Sequence, residues 1–557
     1  MEETPPSTIC RSPAVEPESK ACGDPFLVFV LVAVLFLPSL RGGFVYDSPA
    51  QILYSDALHQ PGFLWDALTL RVFRMDVIDR LRPAQLVSLG LDARLWGRNP
   101  FGYHWTSILL HALNAALAFR LLWQALADVA FRRPAAWLGA LLFAVHPALV
   151  EAVAEVSFRE DLLATTGVLG GLLALARAAR HTGWRRAAGA GAAIALLLLA
   201  AGAKETGWMG PFLLAVSGAA LARRSDTRLY AGTASAAALL IAGFALYARA
   251  VAPDASAIFR HAPTYPAGGL KGMFPLWPRF WAFQVFQAVF PYALCADYGG
   301  YSLRLFSTAG SVTALALLAA GAMGLAVRYP RTRFGLVFLA LASLPTSNLW
   351  PIFIPLADRY LYLPLVGAAL AAAGLLTELA APTRRRLGIV LATLCALWIP
   401  VNLHRQWIWR DPVRLWEHTL RGNPHSRVAS NNLGHALLER GRYTDALKAW
   451  RRAVQLHPGH ANAWAGIALA QEALGNRDQA DAALAQAIES DPIYADADAV
   501  RAALLLSPGQ TEALRPLLAR RRVEPSDSMP PEVKSTAAPS RGADAPEPRP
   551  PLRFDPD

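Results

Sequence analysis

Charge is what this chain has least of. Only 17% of its 557 residues are Asp, Glu, Lys or Arg, while 54% are hydrophobic; an ordinary soluble domain is about a quarter charged. The shortage leaves too few charged side chains to solvate a protein of this length. It is concentrated in runs such as 26–40, 187–203 and 310–327, which carry no charge at all and are transmembrane candidates. Cysteine is scarce too. Cys10, Cys22, Cys295 and Cys395 show neither paired nor metal-ligand spacing, which argues against a disulfide framework and a zinc site. Lysine is rare beside arginine and alanine is abundant, the usage of a GC-rich bacterial genome. A formal charge of +12 would point to nucleic acid in a soluble chain. Here the basic residues lie in short loops between apolar segments, which argues against that reading. The composition is that of a polytopic, all-α membrane protein.

Apolar segments lie at about 26–40, 104–127, 136–150, 161–179, 187–203, 207–222, 229–250, 309–327, 334–350, 360–380 and 387–403. The first is followed by Arg41-Gly42-Gly43 and not by a small-residue cleavage site, so it reads as an uncleaved first helix behind a cytoplasmic tail, 1–25. With that tail inside, every second connection should be cytoplasmic and rich in arginine. Those connections carry Arg132-Arg133, Arg180 with Arg185-Arg186, Arg223-Arg224 with Arg228, Arg328 with Arg331 and Arg333, and Arg384-Arg385-Arg386. A further aromatic segment, 275–294, would break the parity; its interior prolines and Arg279 fit a helix lying in the interface. The expected membrane domain therefore covers 26–405 in eleven spans, with external loops 41–103 and 251–308.

On this topology the charges at span ends all meet at the outer face. They are Asp47, Glu151, Arg159-Glu160-Asp161, Lys204-Glu205 and Asp358-Arg359. Charge at the edge of a span is costly and by default marks a functional site. Asp47 can serve as a general base toward an attacking hydroxyl, although Tyr46-Asp47-Ser48-Pro49 also reads as a plain turn. Arginines near the outer leaflet can hold a phosphate or simply snorkel to the interface. In the loop 41–103, Arg71, Arg74, Arg80, Arg82 and Arg94 run against the positive-inside tendency, which suggests another task. His104, His111 and Asn114 share one face of a span, where hydrogen bonds between helices are favoured over metal ligation.

Beyond the spans a different pattern begins. Pro424, Pro458 and Pro492 are 34 residues apart, as are Gly441 and Gly475, and that period is the tetratricopeptide signature. One full unit contains Leu433, Gly434, Ala446, Trp450, Ala453 and Pro458. The next contains Trp464, Ala468, Ala480, Leu484, Ala487 and Pro492. Two units are short of the three or so that stand alone, so a half unit at 411–424 and helices after Tyr494 are expected to cap the stack. The repeat domain is assigned to 406–521 and leans on the membrane domain, because almost no linker intervenes. The Pro/Ser/Ala/Glu-rich remainder, 522–557, is expected to be disordered.

Several strings taken together carry a family resemblance. Arg82-Pro83 leads to Asp92, Arg94-Leu95-Trp96-Gly97, Asn99-Pro100, Gly102-Tyr103-His104 and Leu110-His111-Ala112-Leu113-Asn114. Leu142-Phe143-Ala144-Val145-His146-Pro147 precedes Glu151-Ala152-Val153 and Arg159-Glu160-Asp161-Leu162-Leu163-Ala164. Lys204-Glu205-Thr206-Gly207 and Asp358-Arg359-Tyr360-Leu361-Tyr362-Leu363-Pro364 complete the set. From about Phe44 to Pro492 the chain closely resembles the TMTC-like proteins, which join a membrane domain to tetratricopeptide repeats and stand with the protein O-mannosyltransferases in the GT-C superfamily.

The resemblance implies an inverting glycosyltransferase that moves mannose or another hexose from a polyprenyl-phosphate donor to a hydroxyl. Asp47 falls at the position of the family's catalytic acidic residue; where the family pair is Asp-Asp, this chain has Asp47-Ser48. Asp47 would take the acceptor proton. Arg82, Arg159, Lys204 and Arg359 are the candidates to neutralise the departing phosphate, Arg82 and Arg159 ranked first. Such a phosphate needs about two or three of them, so the rest are structural. Glu151, Glu160, Asp161, Glu205 and His104 are supporting or acceptor-side candidates. Glu151 is expected to orient an acceptor or pair with Arg159, and Asp358-Arg359 and Lys204-Glu205 are candidate local ion pairs. No cofactor or metal is called for, since the leaving group is a monophosphate and arginines are plentiful. The repeats are expected to bind a protein acceptor in the periplasm, with the membrane domain in a bacterial inner membrane and undecaprenyl phosphate as carrier. A non-catalytic membrane scaffold whose repeats recruit a partner is the competing class. A transporter is disfavoured, because the charges gather at one face and not at the midplane.

Overall fold

The computed structural model describes residues 23–129, 131–221, 226–253, 272–291, 294–299, 306–349, 352, 354–503 and 506–523. Nearly all of the expected tails, 1–25 and 522–557, and the middle of the loop 251–308 lie outside the described residues. Among the described residues every regular element is helical. Eight helices among the described residues are long and apolar enough to cross a bilayer: Asp24–Arg41, Pro100–Ala125, Val156–Ala178, Gly183–Ala203, Thr227–Val251, Thr308–Arg328, Asp358–Glu378 and Ala381–Trp409. The bent pair Arg132–Ala144 and Pro147–Ala154 makes a ninth if counted as one span.

Two of the eleven expected spans fall short of that length. The segment 207–222 becomes the 12-residue helix Gly210–Leu221 after a 3-10 turn, Glu205–Met209. The segment 334–350 becomes the 11-residue helix Arg333–Ser343, closed by the turn Leu344–Thr346 at Pro345. Crossing takes about 20 helical residues at 1.5 Å each, so as helices these two are short, yet the chain still changes sides in both: Arg186 pairs with Asp226 at 3.1 Å, and Arg331 N–H donates to Glu378, at the far end of the helix that follows Asp358, at 2.9 Å. The segment 275–294 holds a 13-residue helix, Trp277–Val289, too short to cross by itself.

The stretch 41–103 is not an open loop. It folds into short helices, Phe63–Leu68 and Pro83–Trp96, over a core that buries Phe63, Phe73, Leu86, Leu89 and Tyr103 together with Val156, Ala248 and Ala252 from outside the segment. Elsewhere small residues bring helices together. A Cβ on Gly335 would lie 2.2 Å from the Ala371 backbone nitrogen, and one on Gly367 2.4 Å from that of Leu339. Helices Arg333–Ser343 and Tyr362–Glu378 therefore meet backbone to backbone. Polar bonds between helices add to this packing. His111 Nε2–H donates to Ala144 O at 3.1 Å, the Tyr362 hydroxyl donates to His111 Nδ1 at 2.6 Å, and Asn114 Nδ2 donates to Leu162 O at 2.9 Å.

The repeat region forms antiparallel pairs, Arg427–Leu438 with Tyr443–Leu456 and Ala461–Ala473 with Arg477–Ser490. Helix Pro412–Gly422 precedes them and Pro508–Val523 follows. Trp450 is buried between the pairs; a Cβ on Gly434 or Gly466 would lie 2.4 or 2.3 Å from its indole, so both positions must be bare. Helix Ala381–Trp409 runs almost directly into Pro412–Gly422. The stack is seated on the membrane part: Gly43 N–H donates to Arg410 O at 3.2 Å, Asn423 Nδ2 to Tyr298 O at 3.0 Å, and Ser426 Oγ to Asp297 at 2.5 Å.

Trp450→Ala should cost about 3–5 kcal/mol by emptying the centre of the repeats. Gly434→Leu should destabilise the same place by collision. Thermal unfolding in detergent, read through protease sensitivity of the repeat region, checks both; unchanged midpoints would show that the stack does not hinge on this contact.

Candidate active site

Asp47 stands on a strained turn. Tyr46 before it has φ +54°, a left-handed conformation that is unusual for a bulky residue and persists only where the surroundings impose it. Ser48 N–H donates back to Val45 O at 3.1 Å and closes the turn. The Tyr46 ring is wedged among Phe158, Trp416 and Trp409, with centroids 5.4, 5.2 and 6.1 Å away. This buries Ser48 and leaves the Asp47 side chain exposed. Protein atoms nevertheless crowd around the Asp47 carboxyl. Desolvation pushes it up to about 6, against the pull of Arg359 and with the help of Asp79 and Glu151. Among the described residues no hydrogen bond reaches this carboxylate.

The other charges at this end of the bundle are cross-paired between segments. Chain geometry sets this up: His146 precedes Pro147, Glu155 is extended with ψ 104°, and 3-10 turns flank the short helix Val150–Ala154. Glu151, Glu155, Arg159, Glu160 and Asp161 thus hang from one bent segment. Arg359 pairs with Glu151 and lies 3.8 Å over the Phe158 ring, and Glu151 also accepts from Asp358 N–H at 3.0 Å. Lys204 Nζ is 2.5 Å from Asp161 and 3.5 Å from Glu160. Arg82, whose side chain is 23% exposed, is shared among Asp79 at 3.1 Å, Glu205 at 3.2 Å and Glu160 at 3.4 Å.

Two expected local pairs are therefore replaced by long-range ones. Asp358 does not pair with its neighbour Arg359; it takes Arg405 at 2.7 Å, Gln287 at 2.8 Å and the Tyr298 hydroxyl. Glu205 likewise goes to Arg82 and not to Lys204. Glu151 meets Arg359 in place of Arg159. Arg159 itself is fully buried, 2.6 Å from Asp92. Its remaining donors go to Ser88 Oγ at 3.1 Å and Tyr103 O at 2.8 Å, which leaves it committed to packing. His104 lies beneath the start of the first loop, where its Nε2 is 3.3 Å from Gly43 O.

Glu155, Asp79, Asp92 and Arg405 belong to this charge network without standing among the candidates read from the sequence. Glu155 had one usable signal: it is a fifth charge in the otherwise apolar run 150–161. It is completely buried and holds Ser48. Burial pushes its carboxyl up to about 8, with the Asp47 charge adding to the rise and the Ser157 and Ser48 hydrogen bonds opposing it.

Comparison with known proteins agrees with the resemblance carried by the sequence strings. Residues 421–504 match the tetratricopeptide repeat family. The chain is 26% identical over 502 residues to protein O-mannosyl-transferase TMTC1 of Homo sapiens, covering 76% of this chain and 54% of that protein. It is 24% identical over 498 residues to protein O-mannosyl-transferase TMTC3 of Mus musculus, covering 82% and 53%. A protein O-mannosyl-transferase of Caenorhabditis elegans is 25% identical over 469 residues, covering 81% and 65%. The chain spans between about half and two thirds of the length of these curated relatives, and it resembles the TMTC O-mannosyl-transferases over most of its own.

Arg159→Met should leave Asp92 buried without its ion-pair partner and cost about 3–5 kcal/mol. Arg82→Gln, at a partly solvated position with three acids to share, should cost far less. Unfolding midpoints of the two variants in detergent check this; the opposite order would show that the Arg159–Asp92 pair is not a stabilising element.

Proposed function

We propose that this chain is a membrane glycosyltransferase that moves mannose or another hexose from a polyprenyl-phosphate carrier to a hydroxyl, most simply one on a protein. The observation that supports this reading best is the state of Asp47. Glu151, Glu160, Asp161, Glu205 and Asp358 each have a cation partner, whereas Asp47 is open and has no hydrogen bond among the described residues. A carboxylate with a pKa of about 6 is well placed to accept a proton near neutral pH.

In the proposed step the acceptor O–H gives its proton to Asp47 as its oxygen attacks the anomeric carbon. The bond from that carbon to the phosphate oxygen breaks, the phosphate leaves with the electron pair, and the configuration inverts. Arg359 and Arg82 are the cations whose charge acts on Asp47. Arg359 Nε is also buried without a partner among the described residues. These two suit the charge that develops on the leaving phosphate; Arg159 and Lys204 have structural duties in this scheme. The Tyr54 hydroxyl donates to Glu439 of the first repeat at 3.2 Å, so the repeats begin beside the reacting segment and can hold an acceptor protein near it by effective concentration. The arginine distribution supports a cytoplasmic N-terminus, with the site and the repeats on the outer side of a bacterial inner membrane.

Asp47→Asn should lower hexose transfer from a labelled polyprenyl-phosphate hexose by about 10²–10⁴-fold without weakening donor binding. In the wild type, transfer should rise with pH through about 6, because only the deprotonated Asp47 can accept the proton. Undiminished transfer by Asp47→Asn would remove the base. A wild type inactive with every hexose donor would favour the scaffold, whose partner would then be sought with the repeats.

A further inference from the structure

We infer that Glu155 is the positioning residue that holds the Asp47 turn in its working shape; the inference rests on the proposed role of Asp47. Glu155 is 0% exposed and stands 107 residues away from the turn in sequence. Its Oε1 gathers the bonds: Ser48 N–H at 3.1 Å, the Ser48 hydroxyl, Ser157 N–H at 3.2 Å and the Ser157 hydroxyl at 2.5 Å. One carboxyl oxygen thereby ties the residue after Asp47 to the bend that carries Arg159, Glu160 and Asp161. Its Oε2 is buried and has no partner among the described residues.

The turn needs such a tie. Tyr46 holds a strained left-handed backbone, and the other polar bond at Ser48 is local, to Val45 O. The Ser48 hydroxyl has one proton and stands between Val45 O at 3.0 Å and Glu155, so it satisfies one of them at a time. Removal of Glu155 would leave the turn with aromatic packing on one side and nothing polar from the rest of the fold on the other. Glu155 has no exposed surface from which to take an acceptor proton, so it acts through Asp47. Its burial also favours the neutral acid near pH 7, which spares Asp47 a second negative charge. A neutral acid and an amide present the same kind of acceptor oxygen. Glutamine should therefore do the work of Glu155, and alanine should not.

The test compares Glu155→Gln, Glu155→Met and Glu155→Ala, in full-length protein in detergent. Hexose transfer and hydrogen exchange of the 45–53 segment are the two readouts. Glu155→Ala should lower kcat by about 10²-fold with little change in donor KM, and should speed exchange in 45–53. Glu155→Gln should stay close to wild type in both. Glu155→Met keeps the side-chain volume and removes the acceptor oxygen, so it should fall with Glu155→Ala in both readouts. Wild-type kcat and exchange in Glu155→Ala, or loss in Glu155→Gln equal to that in Glu155→Ala, would overturn the inference. If Glu155→Ala does not fold, Glu155→Met decides: a fall in kcat with faster exchange in 45–53 supports the tie, and wild-type values of both overturn it. Should transfer fail in the wild type, the proposed function falls, and should it survive Asp47→Asn, the role of Asp47 as base falls; in either case the exchange data still judge the tie.

Discussion

Ionic pairing inside an apolar bundle is the constraint on which the rest of this structure depends. Arg82, Arg159, Lys204, Arg359 and Arg405 all enter low-dielectric surroundings, and each is met there by acids from another part of the chain. An ion buried without a partner costs several kcal/mol, so these pairs are conditions of folding more than gains in stability. They also act as ties. The Arg405–Asp358 bond joins residues 47 apart and the Arg359–Glu151 bond residues 208 apart, which locks the bent segment 147–161 to the starts and ends of distant helices.

This pairing gives Asp47 its chemical standing. Glu151, Glu160, Asp161 and Asp358 nearby are each met by a cation, and among the described residues the carboxylate on the strained turn has neither ion pair nor hydrogen bond. The arrangement is preorganised: the surrounding dipoles and charges are already fixed before any ligand arrives, which is where enzymes gain most electrostatic advantage. The repeats share in this setting. Tyr46 packs against Trp409 at the end of the last long helix and against Trp416 in the first helix that follows it. The repeat stack is thus part of the wall behind the turn and not an appendage on a tether.

Much of the architecture could be read in one dimension. The 34-residue period located the helix pairs, and Trp450 with its two facing glycines shows why that period demands small residues at fixed places. The apolar runs located most long helices, and the charges at their ends did mark one cluster. Span length was harder to read, because proline at 345 ends a helix without changing the apolar character of the run. Partners were harder still. Arg159 looked like a phosphate ligand beside Glu151, yet it is sealed against Asp92 from a different helix. Glu155, four residues from each of them, falls between two expected spans and drew no reading of its own; the backbone bends at that residue and turns it toward Ser48.

Helical class, repeat period and several of the costly buried charges were thus legible along the chain, because periodicity and transfer free energy belong to short stretches of residues. Which acid meets which base, which arginine is locked away, and which carboxylate remains free were settled only in three dimensions. Those outcomes depend on distances between segments more than a hundred residues apart, and pairing energies change steeply over a few ångströms.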